Sequence, residues 1–199
     1  MQIEAPPSAE RRSTGVGGLD FNLGGGIPVG TSIVVFGNPY SGIDLMAKQF
    51  WRAEEAAGTY LMLDAVVEDG MTDARSMPAA DLATRFTGQR VIVDSISSLV
   101  ARHGIDAALQ LMTASIKPFL AAGGNAMFVM YPDLSSPLEA MRIVRAADVY
   151  IALIQAVHGN EIQRSLAVYK MKGVAVSERV IPFIITEKGL ELSTTSRVV

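Results

Sequence analysis

Residues Gly37-Asn38-Pro39-Tyr40-Ser41-Gly42-Ile43-Asp44 keep the spacing of a phosphate-binding loop, G-x-x-x-x-G-K-[ST], without its reactive side chains. The loop lies between an apolar β-branched run, Thr31–Phe36, and a helical pattern, Leu45–Ala57. That is the strand–loop–helix setting such a loop requires. Ile43 stands where a lysine contacts the β- and γ-phosphates, and Asp44 where a hydroxyl holds Mg²⁺. Removing the lysine forfeits a charge-assisted interaction of about 1.5–3 kcal/mol. A carboxylate about 4 Å from a phosphate, at an effective dielectric of about 20, adds a repulsion of about 4 kcal/mol. Backbone N–H groups and a helix N-terminus remain to hold a weak anion. Residues 37–44 are therefore the candidate nucleotide site, and ordinary hydrolysis is not expected there.

Two further acids belong to the same end of the sheet, because ligands of open α/β sheets lie beyond the carboxyl ends of the strands. Asp94 closes the run Arg90-Val91-Ile92-Val93-Asp94, the pattern of a Mg²⁺-orienting aspartate. With the partner hydroxyl gone, its alternative is to accept hydrogen bonds from Ser95–Ser97. Asp64 closes Tyr60-Leu61-Met62-Leu63-Asp64, where a general base would orient water, and is the one candidate catalytic residue. His103 and His158 fall in loop or turn sequence with no carboxylate at ligand spacing, and read as surface residues.

The elements that must position these groups alternate. Nearly continuous apolar runs at Thr31–Phe36, Thr59–Asp64, Arg90–Asp94, Ala126–Tyr131 and Val149–Ile154 read as strands covered on both faces. Helical patterns lie between them. One runs from Ile105 to Ala122, with a kink or an early end expected near Lys117 because of Pro118, and another from Pro137 to Ala147. Beyond residue 155 come a turn at Val157–Asn160 and strands at Ser165–Lys170 and Val180–Thr186. The expected fold is a three-layer α/β sandwich, mostly parallel, with antiparallel C-terminal edge strands. Residues 1–12 read as a flexible N-terminal arm, residues 13–199 as a single domain, and Ser13–Gly30 as turns without a regular element.

Composition narrows the function classes. Hydrophobic residues make up 49% of 199 and charged residues 19%, which points to a folded chain with apolar surface left for association. A formal net charge of −3 makes nucleic acid an unlikely partner, and the lack of cysteine excludes a disulfide framework. No apolar run approaches the roughly 18 residues of a membrane span, and a cytoplasmic protein is expected.

Four stretches together resemble the KaiC-like branch of the RecA superfamily: Ser13–Gly37, Tyr60–Asp64, Arg90–Val100 and Tyr169–Leu192. The resemblance implies a RecA-like core, often hexameric, with ATP between subunits. It also implies that Lys170 and Lys172 of the KMKG stretch, two apart on one strand, face a neighbour's γ-phosphate; solvated edge charges are the alternative. The departures are Ile43, Asp44, Tyr40 at a position commonly glycine, Asp64-Ala65 for paired glutamates, and Val176 for a histidine. The resemblance, so qualified, implies a regulatory or scaffolding pseudo-ATPase that pairs with itself or with an active paralogue. The alternative is a signalling protein with weak ATP/Mg binding and slow hydrolysis; a DNA-binding recombinase lacks a basic face.

Overall fold

The structure, a computed structural model, describes residues 10–55, 57–176 and 179–192. Its centre is a nine-stranded sheet whose middle strand is β3 (Ser32–Phe36). On one side of β3 lie, in order, β7 (Asn125–Met130), β6 (Arg90–Asp94), β4 (Gly58–Met62) and the short β5 (Thr72–Asp73), all parallel to one another. On the other side β8 (Val149–His158) runs parallel to β3. Then β9 (Glu161–Met171), β10 (Val180–Thr186) and β11 (Gly189–Leu192) each run antiparallel to the strand before. The expected mostly parallel sheet with an antiparallel C-terminal edge is the observed one.

The aliphatic runs are strands because both of their faces are covered. Ile33 and Val35 face one apolar core, with Met46, Ala47 and Phe50 of helix α2 (Ile43–Arg52). Val34 faces a second core, shared with Ile96 and Leu99 of α3 (Ile96–His103) and Ile143 of α6 (Pro137–Ala146). Helix α3, which the sequence reading had not marked, starts where Ser95 Oγ accepts the Ser98 amide at 3.1 Å. Helix α6 starts with Pro137 after a capping box between Ser136 and Glu139.

The segment expected as a helix with a kink or an early end near Lys117 is interrupted just before that residue. It divides into α4 (Ile105–Gln110), a wide π turn (Leu111–Ser115) and α5 (Lys117–Ala121). The break falls upstream of Pro118, whose ring would clash with the carbonyl four residues before it. The extra residue of the π turn relieves that clash and keeps Leu111, Met112 and Ile116 buried. The hairpin is also longer than expected: β8 reaches His158, and Gly159-Asn160 turn directly into β9. Gly159 takes a positive φ of 59° at that turn.

The leading segment departs most from expectation. Residues 1–9 of the expected arm lie outside the described residues, but Arg11–Arg12 form a strand, β1, antiparallel to β2 (Ile27–Pro28). A one-turn helix, α1 (Leu19–Asn22), interrupts the glycine-rich stretch. The cause is a polar network that composition alone does not reveal. The Arg12 guanidinium donates to the carbonyls of Gln89 (3.0 Å) and Gly123 (2.9 Å) and to Asn125 Oδ1 (2.5 Å). Arg90, wholly buried, donates to Ser13 O at 3.0 Å and pairs with Glu54 at 2.7 Å. Asp20 gathers Ser13 Oγ and the amide and hydroxyl of Thr14. Buried charges survive only when satisfied in this way. Among the described residues no helix is long and apolar enough to cross a membrane.

Candidate functional site

The loop after β3 turns into α2 as its glycine spacing predicts, and both glycines are sterically required. A Cβ on Gly37 would lie 2.5 Å from Ser41 Oγ. Gly42 has a φ of 89°, and a Cβ there would lie 3.1 Å from Ile185 and Leu190. The loop's polar groups are turned inward. Asn38 O accepts the Ser41 amide (3.0 Å) and hydroxyl (2.7 Å), and Asn38 Oδ1 accepts the Tyr40 amide (2.9 Å). The Gly37 amide donates to Met130 O at 3.2 Å. Three of the N–H groups expected to remain for an anion therefore already have acceptors within the protein. Pro39 and Tyr40 stand out into solvent.

The replacement for the lysine does not line the loop. Ile43 is 0% exposed and belongs to the core cluster of Ile33, Val35, Met46 and Leu190. Asp44 is half-buried, and its charge acts on Asp94, Tyr60 and Tyr131. Asp94 is buried at the end of β6 and accepts the Tyr60 hydroxyl at 2.5 Å, with a longer contact from Tyr131 at 3.5 Å. Burial pushes its carboxyl up to about 6. The Tyr60 hydrogen bond opposes that rise, while the charges of Asp64 and Asp44 add to it. Burial, and after it the charge of Asp94, push the Tyr60 and Tyr131 hydroxyls up as well, so both remain neutral donors.

Asp64 lies two residues beyond β4 rather than at its end. It accepts hydrogen bonds from Ser95 Oγ (3.1 Å) and from Ser98 Oγ, both at the start of α3. Of the serines offered as partners for Asp94, Ser95 serves Asp64 and Ser97 donates to Tyr131 O, while two tyrosines serve Asp94. The tyrosines were the residues missed. Their one sequence signal is a hydroxyl-bearing aromatic in an otherwise aliphatic buried strand, where the O–H must find a partner.

The charges of Asp44 and Asp64 thus both act on Asp94. A metal-bound nucleotide does not fit this set. Both charges acting on Asp94 are negative, its Oδ2 is engaged by Tyr60, and the position for the metal-holding hydroxyl carries a third carboxylate. Among the described residues no group of three His, Asp or Glu is close enough to hold a metal ion.

Lys170 and Lys172 lie at the other end of the sheet. Lys170 pairs with Tyr150 near the amino end of β8, and the Lys172 amide donates to Asp148 O just before it. Lys170 Nζ donates to the carbonyls of Arg145 (3.1 Å) and Ala147, closing the C-terminus of α6. Lys172 Nζ pairs with Asp148 at 3.0 Å. The expectation that both lie on one strand is met by Lys170 alone, since Lys172 lies just past the end of β9 at Met171. Neither reaches this chain's own loop. His103 and His158 are exposed, as expected.

Comparison with known proteins places this arrangement. The profile of the family described as "ATPase: KaiC" matches residues 76–197, more than half of the chain and beginning after the loop. A UPF0273 protein of Pyrococcus furiosus is 26% identical, over 90% of this chain and 92% of its own. A UPF0273 protein of Thermotoga maritima is 25% identical, over 91% and 95% respectively. The crystal structure of a KaiC-like protein from Pyrococcus horikoshii OT3 superposes with a TM-score of 0.74 at 19% identity, covering 93% of this chain and 99% of that one. That similarity is one of fold. From the family match, this chain belongs to the KaiC ATPase family.

Proposed function

We propose that this protein is a KaiC-family member with a degenerate Walker A loop that does not hydrolyse ATP and acts as a regulatory or scaffolding subunit in signalling or assembly. One observation carries the reading: the charges of Asp44 and Asp64 both act on the buried Asp94, while the residue in the lysine's place, Ile43, is in the core. Phosphoryl transfer depends on positioning and charge neutralisation, and these carboxylates supply the opposite charge. A lost lysine contact and an added carboxylate together weaken MgATP binding by several orders of magnitude, since about 1.4 kcal/mol is tenfold. Residues 13–199 act as one domain in this reading, and the partner is a second copy or an active paralogue that meets the Lys170–Lys172 end.

The expected result is a melting temperature that does not move when millimolar MgATP is added. A ligand at about 100 times its dissociation constant would add about 2.7 kcal/mol, a rise of several degrees. A rise of that size sinks the reading and favours an ATP-binding signalling protein, in which Asp64 would act as the base.

A further inference from the structure

Arg11 of β1, the turn after α1 and the chain around the end of β9 line a cavity of about 260 Å³. It lies away from the phosphate-binding loop. Met171 in its wall pairs with Val149, the first residue of β8, whereas the loop follows the carboxyl end of β3, which runs parallel to β8. The apolar part of the wall continues the core: Leu23, Val168 and Met171 are buried members of it, and Val174 and Val176 pack against it half-buried. The charged residues of the wall are Arg11 and Arg179, and among the described residues no carboxylate lines it.

Arg11 is held in place at one end of its guanidinium. Its Nη1 donates to the carbonyls of Leu23 (3.1 Å) and Gly26 (3.0 Å), with Met171 Sδ at 3.3 Å. Its Nε and Nη2 have no acceptor among the described residues. That pair of N–H groups is the edge that binds a carboxylate through two parallel hydrogen bonds. A guanidinium already fixed by other contacts loses little freedom when it does so. Arg179 is exposed and adds a second positive charge at the mouth. An apolar cavity of about 150 Å³ already holds benzene, so this one admits an apolar body of about ten heavy atoms. Inorganic phosphate would leave the apolar wall wet, and a neutral hydrocarbon would leave both guanidiniums without an anion.

We propose that the cavity binds a small monocarboxylate with an apolar body, a medium-chain or aryl-substituted acid. The carboxylate sits on the Nε–Nη2 edge of Arg11 and near Arg179, and the body lies against Leu23, Met171 and Val176. The site goes beyond the pseudo-ATPase reading, because it gives the chain a small-molecule ligand that involves no residue of the loop. A bound acid ties the segment after β9 to the leading strand, so its occupancy stabilises the fold.

Octanoate and phenylpropionate are the probes, titrated into the full chain by calorimetry and followed through isotope-labelled methionine methyl groups. The expected result is saturable, submillimolar binding of both acids, a raised melting temperature, and a shift of the Met171 methyl resonance, assigned with Met171→Leu. Octanol, with a similar body and no charge, binds about tenfold more weakly or worse, since a charge-assisted hydrogen bond is lost. Acetate, with the charge and no body, gives no measurable binding in the same range. Arg11→Gln and Arg179→Gln each weaken octanoate several-fold and leave octanol unchanged, and Val176→Trp, which fills the cavity from its wall, abolishes both. If Arg11→Gln or Val176→Trp melts too low to assay, the exposed Arg179→Gln and the octanol comparison still decide. No binding of either acid up to about 5 mM overturns the inference, as does equal affinity for octanoate and octanol. Octanoate binding that neither arginine variant weakens, with the Met171 methyl unmoved, is adsorption elsewhere and overturns it too. Each of those failures leaves the pseudo-ATPase reading standing, whereas a melting shift with MgATP overturns that reading and leaves this one.

Discussion

Asparagine in place of Asp94 is expected to stabilise the protein by about 2–3 kcal/mol at pH 7.5 and by almost nothing at pH 4. Burial raises the Asp94 carboxyl to about 6 in the folded chain, above its ordinary value of 3.8. A group with a raised folded value binds its proton more tightly when folded. Its stabilising contribution is complete below pH 3.8 and is lost as the pH rises through about 6. Above that, the folded state holds a buried charge that the unfolded chain solvates freely. Asparagine fixes the uncharged condition at every pH, and its Oδ1 can still accept the Tyr60 hydroxyl. Thermal melts of both proteins from pH 4 to 8 measure the difference, expected to open by roughly 4–12 °C across that range. A difference independent of pH, or a variant less stable at pH 7.5, contradicts the electrostatic account of the site.

Lysine in place of Ile43 is expected to destabilise the protein by about 3 kcal/mol or more, lowering its melting temperature by roughly 6–12 °C. Ile43 is fully buried among aliphatic side chains, so the change removes packing and brings an ammonium to the edge of a core. In a working loop the phosphates supply the partner for that charge. Here the adjacent carboxylate is Asp44, half-buried at the helix start. The double variant Ile43→Lys with Asp44→Thr should therefore melt low in buffer and be rescued by MgATP, which leaves the unmodified protein unchanged. Melting curves with and without MgATP test this. Indifference of the double variant to MgATP would show that the inward turn around Asn38, as well as the lost side chains, closes the loop to phosphate.

Much of the fold was legible because its strands are covered on both faces. Val91–Val93 and Ile33–Val35 have no polar alternation, and both proved to be central strands between helical layers. The strand–loop–helix setting of Gly37–Gly42 was legible for a steric reason, since a side chain at either glycine meets neighbouring atoms. The leading segment was not, because its order comes from contacts far along the chain. Arg12 is held by Gln89, Gly123 and Asn125, and Arg90 by Ser13. No local pattern signals such pairings. Lys172 fell outside its expected strand because β9 ends at Met171, where the chain turns after the Lys172 amide has donated to Asp148 O. At the site, the strand-then-acid pattern marked Asp64 and Asp94, but Ser95, offered as a partner of Asp94, serves Asp64, and the tyrosines that serve Asp94 were not marked. Which hydroxyl serves which carboxylate depends on the packing of β4, β6, β7 and α3 against one another.

Phosphate release from MgATP tests the central claim most directly. Purified protein at micromolar concentration with millimolar MgATP is expected to release phosphate no faster than a no-protein control, because Ile43 stands in the lysine's place and Asp44 adds a carboxylate that acts on Asp94. Turnover on the order of one per second, abolished by Asp94→Ala, would place the protein among working phosphoryl-transfer enzymes and contradict the account.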